Sequence, residues 1–237
     1  MFALAPAFAP RAPASGAPRA SGARRVVVAR AAAPSPSPSS SRRVARGRRN
    51  AASDDASDLT WGTFYGAANP PATYGTTGGT TKSLAKYSYD VPSSWVEEAT
   101  TKVEKGSGGQ DSRWVKRGSR GEEKAYLLTL NRAGQDGAAF ELTDASLQAV
   151  AGALSEMQDS IASGRVTSRR DTEDGREYAL FDVDADRKYT VKISIDNTGR
   201  LFAFVVTAPA SQFNRDKKVL DRMVDSFRIY TSASQFV

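Results

Sequence analysis

Apolar residues in the C-terminal third change from a continuous run to a helical stripe. Residues 201–207 are apolar at almost every position, which is typical of a strand covered on both faces. Pro209 ends this run. Beyond it, apolar side chains recur every three or four residues between charged ones, which predicts a helix with one face on a sheet. The stripe consists of Val219, Leu220, Met223, Val224 and Phe227.

Shorter alternating runs predict an antiparallel sheet. Apolar and polar residues alternate over residues 87–91, which favours a half-buried strand, and Pro92 ends it. Trp95 is expected in the core. The other predicted strands are residues 96–104, 112–116, 124–131, 176–185, 188–196 and 200–207. The first two of these are expected to pair around the turn GSGGQD, and the last three to form a meander.

Two helices are predicted beside this sheet. The first begins after Thr143, a favourable N-cap residue, and ends near Gly164, a favourable C-cap residue. The second is the C-terminal helix, for which Asn214 is the expected N-cap and Asp216 lies in the first turn. Strands and helices in this order predict an α+β domain with a central antiparallel sheet.

Composition divides the chain into three parts. Residues 1–53 hold ten arginines, no lysine and no acidic residue, which is the pattern of an organellar transit peptide. A basic arm that binds nucleic acid is the alternative. Residues 54–83 are rich in Gly and Thr and are expected to form a flexible leader. Residues 84–232 then form one domain, since a chain of this length supports one core.

The net charge depends on the first of these parts. The whole chain has 33 basic and 26 acidic residues, for a net charge of +7. Without the ten arginines of residues 1–53, 23 basic residues face 26 acidic ones, so the remainder is near −3. The high isoelectric point therefore gives no reason to expect nucleic-acid binding by the domain.

Candidate chemistry rests on carboxylates, because the chain has no His and no Cys. Ser-His-Asp and Cys-His nucleophile sites, and zinc or iron sites with these ligands, are excluded. Asp182, Asp184 and Asp186 in FDVDAD are the candidate metal ligands, since residues two apart on a strand share a face and carboxylates suit calcium. In the alternative interpretation, Lys188 and Lys192 neutralise this acidic row from the same solvent side of the next strand.

A second acidic group is expected to be structural. Asp171, Glu173 and Asp174 are predicted to lie in a solvated loop that ends at Gly175. GSGG is predicted to be a turn, because it lacks the lysine and hydroxyl of a phosphate-binding loop. GTTGGTTK is predicted to belong to the leader, because it precedes the first strand instead of lying between a strand and a helix.

Partner binding is predicted at three places in the chain. Basic residues around Trp114 can form a patch for an acidic partner, or can merely solubilise a long hairpin. The C-terminal helix exposes two neighbouring lysines, and the leader carries tyrosines that can become ordered on a partner. The candidate residues are Tyr65, Tyr74, Arg113, Lys116, Arg117, Lys217 and Lys218.

Several motifs resemble the PsbP family of thylakoid proteins. The segment from Gly199 to Ile229 is similar to the end of that family, where an apolar strand with Ala208 and Pro209 leads to a lysine-rich helix ending in Ser226 and Phe227. AKYSYDVPSSW resembles the family's opening strand, and KVEKGSGG its next strand and glycine turn. ANPPATYGTTGG looks like the leader of the lumenal nineteen-kilodalton branch. The resemblance covers roughly residues 64–230.

The resemblance implies an α/β/α sandwich and a non-catalytic extrinsic protein of the thylakoid. The implied partner is photosystem II or another thylakoid complex, bound at its lumenal face, as a subunit supporting the oxygen-evolving complex or as a photosystem assembly factor. A link to calcium is also implied. The alternatives are a carboxylate- or metal-dependent enzyme and a stromal protein-binding module of the same fold, including regulators of small GTPases with a related sandwich.

The predicted location in the chloroplast depends on two arguments. The transit-like segment predicts import into the plastid, whereas the lumen follows from the resemblance. Lumenal members usually carry a second signal in which arginines precede an apolar stretch. Here, Arg48 and Arg49 precede the polar sequence NAASDDASDLT, so this chain departs from the bipartite pattern.

Overall fold

Seven antiparallel strands form the central sheet of the computed structural model, which describes residues 59–68, 79–106, 108–131 and 140–230. In chain order, the strands of this part are β1 (Trp61–Gly66), β2 (Tyr87–Pro92), β3 (Trp95–Glu98), β4 (Gln110–Lys116), β5 (Lys124–Leu130), β6 (Arg165–Glu173), β7 (Arg176–Asp184), β8 (Arg187–Ile195), β9 (Leu201–Pro209) and β10 (Arg228–Ile229). The central sheet has the order β3-β4-β5-β9-β8-β7-β6, and a smaller sheet has the order β1-β2-β10.

Helices lie beside both sheets. They are α1 (Lys102–Gly106), α2 (Asp144–Ala153), α3 (Ser155–Ser163), α4 (Ala210–Arg215) and α5 (Lys217–Asp225), with a single 3₁₀ turn at Lys82–Leu84. Over the described residues, none of these helices has the length and apolar character needed to span a membrane.

Each face of the central sheet carries an apolar layer. On one face, Phe204 of β9 packs with Leu220 of α5 and with Tyr89 of the smaller sheet. On the other face, Val205 packs with Val150 of α2. Strand β9 lies between β5 and β8 and is buried on both faces, as its continuous apolar run predicts.

This layering confirms the predicted α+β fold with a central antiparallel sheet. Helices α2 and α3 cover one face, while α4, α5 and the smaller sheet cover the other. The predicted apolar stripe of α5 is also confirmed, since Val219, Leu220, Met223 and Val224 are buried. Its expected N-cap is wrong, because Asn214 lies inside α4 and Asp216 is the residue between α4 and α5.

Strand β1 lies in the part of the chain that the sequence assigns to a flexible leader. It pairs antiparallel with β2 over six residues, from Trp61 opposite Pro92 to Gly66 opposite Tyr87. Phe64 packs its ring against the core of the domain. The paired structure therefore begins before residue 84, because the aromatic residues of β1 provide apolar surface within a Gly- and Thr-rich segment.

Two predicted elements near the central sheet differ from the structure. The predicted strand at residues 96–104 ends at Glu98, and helix α1 follows it. The predicted helix begins after Thr143 and ends at Gly164 as expected, but it breaks into α2 and α3 at Leu154, whose φ is −133° and ψ is 88°. Both departures create walls around a recess described below.

In the second acidic group, Asp171 and Glu173 lie on a strand instead of a loop, whereas Asp174 lies in the turn that follows. Strand β6 pairs with β7 along nine residues, from Arg165 opposite Asp184 to Glu173 opposite Arg176. The turn between them is Asp174-Gly175, with φ values of 52° and 73°. Such positive φ values suit Asp-Gly in a two-residue hairpin turn, so the sequence did contain a signal for this hairpin.

Candidate partner-binding groove

A groove of about 520 Å³ lies between strands β6, β7 and β8 and helix α5. Four cationic and four acidic side chains line it, together with polar and apolar residues. The charged set is Arg165, Arg169, Asp182, Asp184, Lys188, Lys217, Asp221 and Asp225. The groove therefore unites Asp182 and Asp184 with Lys217, although the sequence placed the two aspartates and the lysine in separate candidate sites.

Strands β7 and β8 direct polar side chains into the groove by simple alternation. Asp182 lies opposite Thr190, and its carboxylate accepts hydrogen bonds from the Thr190 hydroxyl at 2.7 Å and from Arg169 at 3.1 Å. Asp184 forms an ion pair with Lys188 at 2.7 Å. Both carboxylates are thus engaged by donors on the same sheet face.

The expected calcium site at Asp182, Asp184 and Asp186 does not fit this geometry. Asp186 is exposed in the turn after β7, outside the strand. Over the described ranges, no group of three or more acidic side chains lies close enough to hold a metal ion. The alternative of surface ion pairing describes Asp182 and Asp184 better, with Arg169 and Lys188 as the cations.

The ion-pair hypothesis placed Lys192 on the solvent side of β8, but the structure places it in the interior. Its side chain is only 1% exposed, and its ammonium group lies 2.7 Å from a Glu173 carboxylate oxygen and 4.5 Å from the centre of the Tyr178 ring. Burial lowers the pKa of Lys192, while the hydrogen bond to Glu173 opposes that shift. This lysine therefore belongs to the support of the sheet and not to the exposed groove.

Helix α5 and strand β6 supply the outer walls of the groove. Lys217 contacts Asp221 one helical turn later at 2.7 Å. Arg165 and Asp225 have no ion pair with any residue in the described part of the chain. Sequence reasoning missed Arg165 and Arg169, because β6 is polar at every position except Val166 and therefore shows no alternation that marks one face.

The groove is chemically suited to exchange its ion pairs with those of a partner. Exposed ion pairs contribute roughly 0 to 1 kcal/mol each, so breaking them in favour of intermolecular pairs costs little. Arg169 and Asp182 have side chains 58% and 43% exposed, and their contact is of this weak kind. The balance of signs favours a partner surface that also carries both charges.

The predicted basic patch around Trp114 is largely neutralised within the chain. Arg113 forms ion pairs with Glu98 and Glu104, and its side chain is 19% exposed. Lys116 is partly buried and contacts two acidic residues. Of the predicted patch, Arg117 and the nearby Arg120 are exposed without an ion pair among the described residues.

Lys116 belongs to a cluster of four charges that joins β4, the β4–β5 loop, α4 and α5. Its ammonium group lies 2.9 Å from Asp216 and 3.5 Å from Glu123. Arg215 contacts the same carboxylates at 2.8 Å and 3.2 Å. Glu123 and Asp216 are each only 2% exposed, so the cluster fixes the start of α5 to the sheet.

The two carboxyl groups of this cluster shift in opposite directions. Burial and the neighbouring Asp216 raise the pKa of Glu123 to about 7, against the opposing effect of Lys116. Burial also acts to raise the pKa of Asp216, but hydrogen bonds from Arg215 and Lys116 outweigh it and lower that pKa. Asp216 therefore holds the negative charge, and Glu123 takes up a proton near neutral pH.

We expect the Glu123 carboxyl to make the fold more stable as the pH falls from 8 to 5. The folded state binds this proton below about pH 7, whereas the ordinary pKa of Glu is 4.5, so stability is lost as the pH rises through 7. One pKa unit corresponds to about 1.4 kcal/mol, and we expect a change of roughly 2 kcal/mol. Urea unfolding at several pH values measures it.

The matched variants for this titration are Glu123→Gln and Glu122→Gln. Glu123→Gln removes the titrating group and should flatten the dependence of unfolding free energy between pH 5 and 8. Glu122 is its half-exposed neighbour, so Glu122→Gln should keep the wild-type slope. Equal slopes in Glu123→Gln and the wild type would contradict the assignment. Asp216 affects stability in a separate pH range. Because its pKa is lowered in the folded state, the fold loses this contribution only when the pH falls below the ordinary value of 3.8.

The remaining candidate partner-binding residues do not converge on one site. Tyr65 is half-buried in β1, where it lies opposite Ser88. Tyr74 lies outside the described residues. Lys218 is exposed on α5 next to Lys217, and only Lys217 lines the groove.

Comparison with known proteins gives one informative sequence relative. No family model matches the chain. The chain is 35% identical over 178 residues to the chloroplastic thylakoid lumenal 19 kDa protein of Arabidopsis thaliana, a match that covers 73% of this chain and 76% of the relative.

Solved structures give more distant similarities. The solution structure of cyanobacterial PsbP from Synechocystis matches with a TM-score of 0.48 and 15% identity, covering 72% of this chain and 93% of that one. The Ran-binding protein Mog1p of Saccharomyces cerevisiae matches with a TM-score of 0.39 and 14% identity, covering 64% and 94%. At these scores, neither similarity carries an argument about function.

Proposed function

The chain belongs to the PsbP-like family of the thylakoid lumenal 19 kDa protein, and from this membership we propose that it is a non-catalytic extrinsic protein that binds photosystem II or a photosystem assembly intermediate. The observation that carries the proposal is the 35% identity over 178 residues. The relative is named as a chloroplastic lumenal protein, and this chain has the same location, the thylakoid lumen.

The groove beside α5 is the surface that we assign to this binding. Its exposed ion pairs can be exchanged at little cost, and Arg165 offers a charge that forms no ion pair with any described residue. An extrinsic subunit held by such contacts dissociates as salt concentration rises, because exposed charges are screened. The resemblance also implies a link to calcium. We propose that this link belongs to the assembled complex, because the acidic row of β7 does not fit a metal ion.

Two substitutions on the same strand test the role of the groove. Arg165 lines the groove, whereas Arg170 is exposed but lies outside its lining, on the opposite face of β6. We expect Arg165→Glu to weaken binding to washed thylakoid membranes about fivefold, which corresponds to roughly 1 kcal/mol. Arg170→Glu should leave binding unchanged. Native-gel fractionation with mass spectrometry then identifies the complex that holds the wild-type protein.

Each outcome of this experiment decides one part of the proposal. Wild-type protein in the photosystem II bands, lost selectively in Arg165→Glu, supports both the partner and the groove. Co-migration that is equally strong in both variants supports the partner but contradicts the groove. Absence from all photosystem bands contradicts the proposed partner. It favours the alternative of a stromal protein-binding module of the same fold.

A further inference from the structure

A second recess, of about 290 Å³, lies on the sheet face that is opposite to the groove. Residues of β4 and β5 form its floor, and helix α1 and the α2–α3 junction form its walls. It exists because the predicted single helix breaks at Leu154 and because α1 replaces a predicted strand. Nothing in the proposed photosystem contact uses this recess.

Hydrogen-bond donors without partners converge on the floor of the recess. Gln110 is 6% exposed, and its amide nitrogen Nε2 has no hydrogen-bond partner in the described structure. Tyr126 is also 6% exposed, and its hydroxyl group makes no hydrogen bond to the described residues. A buried donor left without an acceptor is unfavourable, so the buried amide of Gln110 indicates a bound group.

Lys124 adds a positive charge beside these donors. It lies two residues before Tyr126 on β5, and alternation therefore places both side chains on the recess face. Its side chain is half-buried and forms no ion pair with any described residue. Burial raises the pKa of Tyr126, so its hydroxyl remains a donor next to this lysine.

The start of α3 contributes to the same recess. Leu154 is its N-cap residue and provides no side-chain hydrogen bond to the first turn, while Ser155 and Glu156 line the recess. The N-terminal end of a nine-residue helix carries a partial positive charge that favours an anion. The buried amide of Gln110, which has no described partner, lines the same recess and independently indicates a bound group there.

The other charges of the recess limit the ligand. Arg113 is engaged by Glu98 and Glu104, so it adds no free charge. Glu156 is exposed at the rim and makes no ion pair within the described part of the chain, which disfavours a highly charged anion such as phosphate. Apolar surface also lines the wall, from Val103, Ala153 and Leu154, with the Val103 side chain 73% exposed.

We propose that this recess binds a carboxylate group carried on a short aliphatic stem. Lys124 pairs with the carboxylate, Gln110 and Tyr126 donate hydrogen bonds to it, and Val103 and Leu154 contact the stem. The volume suits a group the size of one or two amino-acid residues. A free small acid and the C-terminal residue of a peptide share this chemistry.

A titration of the full chain distinguishes the two sources. The probes are isovalerate, the tripeptide Ac-Gly-Ala-Leu with a free C-terminal carboxylate, and the same tripeptide with an amidated C-terminus. Binding is followed by changes in the amide resonances of Gln110, Lys124 and Glu156. Isovalerate binding as tightly as the free tripeptide identifies a small-acid site, and binding of the free tripeptide alone identifies a C-terminus site.

Variants make the assignment of the donors testable. Lys124→Met should weaken binding of the acid probe at least tenfold, and Gln110→Leu should weaken it about fivefold. Lys218→Met is the control, because that lysine is exposed on α5 at the other face of the sheet and should bind as the wild type does. Thermal unfolding of each variant shows whether the fold is retained.

Several outcomes would overturn the carboxylate site. They are the absence of resonance changes with all three probes, equal affinity for the amidated and free tripeptides, and unchanged affinity in a folded Lys124→Met variant. The photosystem-binding proposal is measured on thylakoid membranes with groove variants, so its failure is separate from any of these results.

Discussion

Gly66→Ala is expected to destabilise the fold by roughly 3 kcal/mol, the upper range for forcing a side chain into a filled core. A Cβ atom on Gly66 would lie 1.8 Å from Cζ of Tyr87 and 2.3 Å from both of its Cε atoms. No real Cβ atom approaches a ring this closely, so either the ring or strand β1 must move.

The ring of Tyr87 has no room to move away. Tyr87 is completely buried, its hydroxyl donates a hydrogen bond to Asp111 at 2.7 Å, and its ring stacks on Tyr89 with the two planes 9° apart. Displacing it would break a buried hydrogen bond and open a gap beside Phe202. The strain therefore falls on the pairing of β1 with β2.

Gly62→Ala is the matched control for this substitution. Gly62 lies on the same strand, and an added Cβ there would meet no atom within 4 Å. Both substitutions remove the same backbone freedom from the unfolded chain, so the difference between them isolates the clash. Urea unfolding monitored by fluorescence measures both variants. Equal midpoints for the two would show that Tyr87 accommodates the methyl group.

Gly66 illustrates what the sequence could not predict. Its neighbours Ala67, Ala68 and the Gly- and Thr-rich segment after them have the composition of a linker, and the closeness to Tyr87 arises only when residues 21 positions apart pair across a sheet. Periodicity reports which face of an element is apolar, and it therefore predicted β9 and the stripe of α5. It contains no information about which distant side chain lies above a glycine.

Buried lysines were missed for a related reason. Lys105 and Lys192 are 2% and 1% exposed, although lysine is rarely buried. Their burial depends on acidic partners, Asp111 and Glu173, that the fold brings to them. The groove was partly predictable, because the alternation of Asp182 and Asp184 was visible, whereas its α5 wall and β6 arginines required the tertiary structure.

Lys105→Met is expected to cost about 3 to 5 kcal/mol, because it leaves the buried Asp111 without its cation. The ammonium nitrogen of Lys105 lies 3.7 Å from Oδ1 of Asp111, and the two side chains are 2% and 1% exposed. The other carboxylate oxygen accepts the hydrogen bond from Tyr87. Burial and the Asp111 charge both raise the pKa of Tyr87, so its hydroxyl keeps the proton that it donates.

The double variant Lys105→Met with Asp111→Asn should recover most of this loss. Replacing both charges removes the uncompensated carboxylate, and an asparagine at position 111 retains an oxygen that can accept the hydrogen bond from Tyr87. Removing an ion pair as a unit is often close to neutral, even when removal of one partner is severe. Asp111→Asn alone would leave the buried Lys105 charge and should also destabilise the fold.

Lys218→Met provides the control, since Lys218 is an exposed lysine on α5 and should change stability by less than about 0.5 kcal/mol. Guanidinium unfolding of the four variants and the wild type gives the coupling energy between positions 105 and 111 from the double-mutant cycle. A double-variant loss much smaller than the sum of the two single losses means that each charge makes the other tolerable in the core. Additive losses in the single and double variants would mean instead that Lys105 stabilises α1 through its packing, and that its charge is incidental.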